Sequence, residues 1–207
     1  MGKFAFLLLL LLLFVFLLAP VILVVPMSFS ADKVLAWPPT GFSLRWYAAM
    51  LTEPGLLQAA RNSLILGVIV TVLSVLLATP AALVLARHQF PGREAVLALL
   101  TAPLLLPTIV LGLAMLIVFV GYGLVGSWTG LVLAHLLLTL PYALRVLSTA
   151  LATLPPSVEE AAASLGASPV RVFQRVTLPL MLPGVVATCA IVFLVSFDEV
   201  VVSLFIV

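Results

Sequence analysis

PPSVEEAAASLGASPVRVFQRVTLPLMLPG, residues 155–184, is a polar interruption in an otherwise apolar chain, and its grammar is that of two short helices. Ser157 with Glu160 three residues on forms an S-x-x-E capping box and predicts a helix start there. Val158, Ala161, Ala162 and Leu165 then share one side, giving this helix an apolar face. Gly166 supplies the left-handed residue that stops it. Ser168-Pro169 restarts the chain as N-cap and first helical residue. The second helix carries Val172, Phe173 and Val176 on one face, with Arg171, Gln174 and Arg175 mostly elsewhere, and Pro179 and Pro183 are expected to end it. The expectation is a compact helix–turn–helix between two membrane spans.

The chain on either side of this loop is oily. Its 207 residues are 65% hydrophobic and only 8% charged, with a mean hydropathy of +1.40. Soluble domains carry about a quarter charged residues. The fold class is therefore all-α, a polytopic transmembrane helical bundle forming a single domain over residues 1–207. A net charge of +2 is too mild to argue for nucleic acid, and a single cysteine, Cys189, excludes an intrachain disulfide. There is no G-x-x-x-x-G-K-[ST] phosphate loop, no H-E-x-x-H and no Cys/His ligand cluster. No catalytic, metal or cofactor site is expected in this chain, so it is not read as an enzyme. His88 and His135 stand alone and are read as packing residues.

Five spans are expected, over about residues 4–26, 62–86, 95–120, 127–151 and 185–207, each long enough for roughly 30 Å of hydrocarbon. The first is read as a retained span, because a cleavable signal has an apolar region of only about 7–15 residues. Pro80 is expected to kink the second span, and Pro141 to interrupt the fourth. Pro103 and Pro107 in the third mean a broken or bent helix, tolerated where backbone lines a cavity or packs in protein. Between the first two spans, residues 41–50 and 56–61 read as short interfacial helices, with Trp46 and Tyr47 at headgroup depth. Trp46 is either a belt anchor or a contact at the outer mouth. Placing the N-terminus inside puts Lys3, Arg87, Arg93, Arg145, Arg171 and Arg175 in the cytoplasm, leaving only Lys33, Arg45 and Arg61 outside. The 155–184 loop comes out cytoplasmic on the same count.

The fifth span holds Ser196, Asp198, Glu199 and Ser203. Counted from residue 185, the acids lie roughly 20 Å into the membrane. A carboxylate at mid-span costs about 2.5–3.5 kcal/mol on insertion scales, so such a pair needs water, a partner or a cation. In a continuous helix Ser196, Glu199 and Ser203 share a face, with Asp198 turned about 100° away. These residues are candidates for a solute path.

The spacing Glu160-Ala161-Ala162, Gly166, Val176, Leu178-Pro179 resembles the EAA loop of ABC importer permeases, with Val176 for the usual Ile. In that family the loop is cytoplasmic and docks on a separate ATP-hydrolysing subunit, so the resemblance assigns these seven residues to ATPase coupling. SFDEVVVS, residues 196–203, together with Arg45-Trp46-Tyr47 and the 56–64 segment, is similar to the spermidine/putrescine branch. There an acid often follows the third-span proline, whereas Pro107 is followed here by Thr108. The family has six spans, so the sixth is expected to be missing from this sequence.

The resemblance implies a permease subunit of a binding-protein-dependent ABC importer in a bacterial inner membrane. It would move a small, cationic solute such as spermidine or putrescine along Ser196, Asp198, Glu199, Trp46 and Thr108. Expected partners are a second permease in a heterodimer, a dimer of ATP-binding subunits holding the ATP, a periplasmic substrate-binding protein and the lipid bilayer. Five spans do not enclose a pore easily, which agrees with a half-channel. The alternatives are an importer permease for another small solute, such as an amino-acid-like compound, and an ATP-independent secondary transporter using the acids as proton sites.

Overall fold

The structure is a computed structural model that describes residues 2–34 and 36–207. Two compact units are distinguished, Met1–Ala60 and Arg61–Val207. In the first, α1 (Lys3–Ser28) is a helix of 26 residues with none of them buried. A helix apolar on all sides fits lipid rather than water. Its C-terminal end is tied to α2 (Arg45–Thr52). The Trp46 indole N–H donates to the Ser30 carbonyl at 3.1 Å, the Ser28 and Tyr47 hydroxyls meet at 2.7 Å, and the Phe29 and Tyr47 rings lie 5.3 Å apart. The expected interfacial helix at 41–50 is thus present, shifted toward its C-terminal end. The one expected at 56–61 is not separate: it is the opening of α3 (Pro54–Arg87), 34 residues that run on unbroken through Pro80.

The third hydrophobic segment is two pieces. α4 (Arg93–Thr101) continues as a 3-10 turn over Ala102–Leu105, and α5 (Thr108–Gly121) leaves it at 107°. Pro107 lacks an N–H and biases Leu106 to extended backbone, so the helix stops between them. α6 (Trp128–Ala152) is continuous through Pro141, which corrects the expected interruption. Its start is a true side-chain cap, Ser127 Oγ accepting from the Gly130 N–H at 3.0 Å.

The largest revision concerns the loop. α7 spans Pro156–Ser164 with Pro155 as N-cap, and no side chain caps it. The capping box of Ser157 and Glu160 does not form, because the helix starts two residues earlier, at Pro156; its fixed φ and absent N–H suit that position. Gly166 does stop α7, at φ 83°. Around it the Ala167 N–H reaches the Ala162 carbonyl at 3.3 Å and the Gly166 N–H the Ala163 carbonyl at 2.9 Å, a Schellman closure. Ser168 and Pro169 open α8 (Pro169–Val172) as expected, although the Ser168 hydroxyl caps nothing.

Pro179 and Pro183 do not end that second helix. α8 passes through a π-helical turn at Phe173–Thr177 into α9 (Leu178–Asp198), one apolar segment of 30 residues from Pro169. A proline ring collides with the carbonyl four residues earlier, here that of Arg175. Arg175 lies in the π turn, whose wider winding relieves the collision. The helix that carries the last apolar segment therefore begins at Pro169 and runs through residue 185 without a break. It also ends early: Glu199 is extended (φ −78°, ψ 102°) and a short α10 follows, Val201–Ile206.

Within Arg61–Val207, α3, α6 and α9 share one buried cluster that includes Val70, Ala78, Ala82, Ala143, Leu147, Met181 and Val192. α5, α6 and α10 share another, built on Leu111, Met115, Ala134, Leu138, Val202 and Ile206. Small residues matter because lipid is as apolar as leucine, so helices gain chiefly by close packing. At the α6–α9 crossing a Cβ added to Gly184 would run into the Cβ of Ala150. Among the described residues, four helices are long and apolar enough to cross a membrane, or five if the bent pair counts as one span.

Candidate functional site

Two polar constellations stand out in the second unit. The first holds the 155–184 loop. Glu159 faces inward from the first turn of α7. Its Oε2 accepts from Arg87 Nε at 2.8 Å, and its Oε1 accepts from the Thr177 hydroxyl at 2.7 Å. Arg87, the last residue of α3, also donates from Nη2 to the Leu154 carbonyl at 3.2 Å. One carboxylate thereby ties together the end of α3, the first loop helix and the π turn. Both members of the ion pair retain only about a fifth of their side-chain exposure, 17% and 20%. The pair is therefore less screened than a surface pair and is held by charge-assisted hydrogen bonds.

Glu160, the next residue, is exposed, as are Ala161, Gly166 and Pro179, while Ala162, Val176 and Leu178 are half-buried. Val158 and Leu165, on the apolar side of α7, are 42% and 89% exposed. On the second helix Val172 is buried, Phe173 and Val176 are half-buried, and Arg171, Gln174 and Arg175 face out, as the periodicity implied. A groove of about 510 Å³ runs between α3 and the loop, lined in part by Arg87, His88, Glu159, Glu160 and Phe173. The loop thus offers a partly apolar surface of mixed charge on a braced frame, with Glu160 on α7 and Arg171 and Arg175 on the helix that follows. Glu159, Arg87 and Thr177 carry the brace, and the sequence reading did not single them out. Two adjacent glutamates looked alike there; only the fold shows which one turns inward.

The second constellation lies at the break between α9 and α10. Asp198, the last residue of α9, is exposed, and Glu199 is half-buried. Glu199 Oε1 accepts from the Val202 N–H at 2.8 Å, capping α10. Both acids border an open cavity of about 470 Å³ with Leu194, Val195 and Phe197. Ser196 does not line it. It is 3% exposed and bonded to His135 Nδ1 at 2.9 Å, while Ser203 meets His135 Nε2 at 3.1 Å. The face expected to join Ser196, Glu199 and Ser203 is interrupted because the helix breaks at Glu199. His135, read as a packing residue, is 1% exposed and bonded on both ring nitrogens. Its sequence signal was the seven-residue spacing of the two serines.

Thr108 is the exposed first residue of α5. Trp46 belongs to the first unit, 44% exposed, with the Arg45 guanidinium 4.6 Å above its ring. There it borders a cavity of about 410 Å³ with Met27, Asp32, Lys33, Tyr47 and Met50. Its N–H is already engaged by Ser30, which fits the anchor reading.

Known proteins resemble the chain along most of its length. The family described as "Binding-protein-dependent transport system inner membrane component" matches residues 78–207. The putrescine transport system permease protein PotI of Escherichia coli K12 is 34% identical over 199 residues, covering 92% of this chain and 70% of that protein. The spermidine/putrescine transport system permease protein PotC of Haemophilus influenzae is 35% identical over 193 residues, covering 92% and 74% respectively. Among solved structures, a bacterial ABC transporter involved in import of the acidic polysaccharide alginate superposes with a TM-score of 0.71. It is 19% identical and is matched over 93% of this chain and 69% of that one. At that identity the likeness concerns the fold alone.

Proposed function

The chain belongs to the binding-protein-dependent transport system inner membrane components, and from that membership we propose that it is the permease of an importer for a small cation of the putrescine or spermidine class. ATP binding and hydrolysis reside in a separate dimeric subunit. That subunit docks on the 155–184 loop, where Glu160, Ala161, Ala162, Gly166, Val176, Leu178 and Pro179 carry the coupling. The N-terminus and this loop face the cytoplasm, in keeping with the lysine and arginine distribution. A second permease completes the path within the bilayer, and a periplasmic binding protein delivers the solute.

The observation that carries this reading is the braced loop. Glu159 is consumed by Arg87 and Thr177, whereas Glu160 and the apolar side of α7 are left facing out. Nucleotide-driven motion of the docked subunit would displace α7, and the Arg87 contact would carry the displacement into α3. On the substrate side, Asp198 and Glu199 set two carboxylates beside an open cavity, and the two relatives quoted above are named for putrescine and spermidine. Thr108, where the branch often has an acid, favours a second reading, import of another small organic solute through the same path.

Inner-membrane vesicles carrying the whole importer test both parts. Glu160→Lys is expected to abolish ATP-dependent uptake of labelled putrescine while the permease still inserts; unimpaired uptake defeats the coupling assignment. Labelled spermidine and an amino acid, run beside putrescine, separate the two solute readings. Uptake of the amino acid alone would reject the polyamine.

A further inference from the structure

A buried hydrogen-bond chain crosses the second unit, and its direction can be worked out. Thr139 Oγ1 donates to the His135 carbonyl at 2.7 Å. The Ser74 hydroxyl, 2.9 Å from Thr139 Oγ1, must then be the donor in their pair. On the other side of the ring, Ser203 Oγ donates to the Glu199 carbonyl at 2.9 Å. Having spent its proton, Ser203 can only accept from His135, so Nε2 carries the imidazole hydrogen. In a neutral ring Nδ1 is then the acceptor for the Ser196 hydroxyl. The order is Ser196 O–H to Nδ1, Nε2–H to Ser203, and Ser203 O–H to the Glu199 carbonyl, in a neutral ring of one tautomer.

The two serines lie on opposite sides of the helix break. Ser196 is in the last turn of α9 and Ser203 in α10, with Asp198 and Glu199 between them. The imidazole on α6 thus clamps both rims of the interruption. The backbone at Glu199 is held extended, its carbonyl is occupied by Ser203, and its carboxylate caps Val202. We propose that His135 is a positioning residue for the solute path, its clamp on Ser196 and Ser203 fixing where Asp198 and Glu199 present their carboxylates. The role rests on the reading that those acids meet the solute. A neutral ring suits it, because the clamp adds no positive charge beside carboxylates meant for a cation. Thr139 and Ser74 extend the hold to α3, so the acids are registered against two helices, α6 and α3, rather than one.

The test has two arms, both on the whole importer. In nanodiscs, with the label confined to this subunit, imidazole ¹⁵N magnetic resonance reads the tautomer of His135, and His88→Gln removes the subunit's other histidine signal. A neutral ring protonated at Nε2 is expected, and Ser203→Ala should redistribute the proton toward Nδ1. A ring protonated at Nδ1 in the unmodified protein overturns the clamp. In vesicles, Ser203→Ala and His135→Phe should each lower labelled putrescine uptake about tenfold, the scale of one unmade buried hydrogen bond. Assembly and ATP hydrolysis should remain, and His135→Gln, which keeps a donor and an acceptor, should recover part of the uptake. If Glu199→Gln stops uptake while Ser203→Ala and His135→Phe leave it unchanged, the positioning role is wrong. If Asp198→Asn with Glu199→Gln leaves uptake unchanged, the path assignment beneath it falls, whatever the resonance arm shows for the ring.

Discussion

Arg87 and Glu159 are 72 residues apart in the chain, yet their side chains meet at 2.8 Å where α3 ends and the loop begins. Removing either partner leaves the other charge half-desolvated. Arg87→Ala or Glu159→Ala should destabilise the permease by about 2 kcal/mol, in the range of hydrogen bonds to charged groups. ATP hydrolysis should persist while uptake falls, because the loop would move without carrying α3. Thermal unfolding in detergent and paired hydrolysis and uptake assays check this. The exchange Arg87→Glu with Glu159→Arg should restore part of the loss.

Gly166 occupies the left-handed region at φ 83° and closes α7 with two backbone bonds. A side chain there adds about 1–2 kcal/mol of strain. Gly166→Val should lower the unfolding temperature and loosen the loop, and Gly166→Asn should be milder. Protease susceptibility of the loop is the direct readout.

The Gly184–Ala150 contact sets how near α6 and α9 can come. Gly184→Ala should cost about 1–3 kcal/mol through overpacking. Ala150→Gly in the same chain should recover most of it. A double-mutant cycle by thermal unfolding measures the coupling, and additive losses would show that the crossing is not where the strain sits.

Ser148 on α6 is half-buried, and its hydroxyl oxygen is shielded from solvent with no hydrogen-bond partner among the described residues. Ser148→Ala should therefore be neutral or stabilising by up to about 1 kcal/mol. A clear loss of stability would reveal a partner supplied by another subunit.

In the first unit, the Thr40 hydroxyl and N–H, with the Ser30 hydroxyl, hold the Asp32 carboxyl below its ordinary value of 3.8. A depressed folded value means the contribution is present above the unfolded value and is lost as pH falls through the folded one. Acidification below about pH 4 should loosen the segment that Trp46 reports by fluorescence. Asp32→Asn should flatten that part of the pH response.

Much of this architecture was legible because the deciding residues act locally. Gly166 and Ser168-Pro169 mark the turn whatever surrounds them, and the Pro103/Pro107 pair announced the sharp break before α5. The failures came from competition, some of it with near neighbours and some with residues in other helices. Ser157 and Glu160 satisfy a capping pattern, but Pro156 starts the helix first. Pro179 is a stop signal in an ordinary helix, and the wide turn at Phe173–Thr177 removes the clash that would make it one. Glu159 could not be told from Glu160, since Arg87 lies in another helix. His135 looked inert because its partners are 61 and 68 residues away.

The joining of α8 to α9 through the π turn has a mechanical consequence. Half of the hairpin and the final span are one bar, about 45 Å long at the helical rise. A bar has no slack: tilting it at the water line swings its far end, where the carboxylates stand, in the same stroke. The wide turn at Phe173–Thr177 departs from α winding within that bar, so replacing Pro179, whose ring clash it relieves, should alter how a push is transmitted without touching either end.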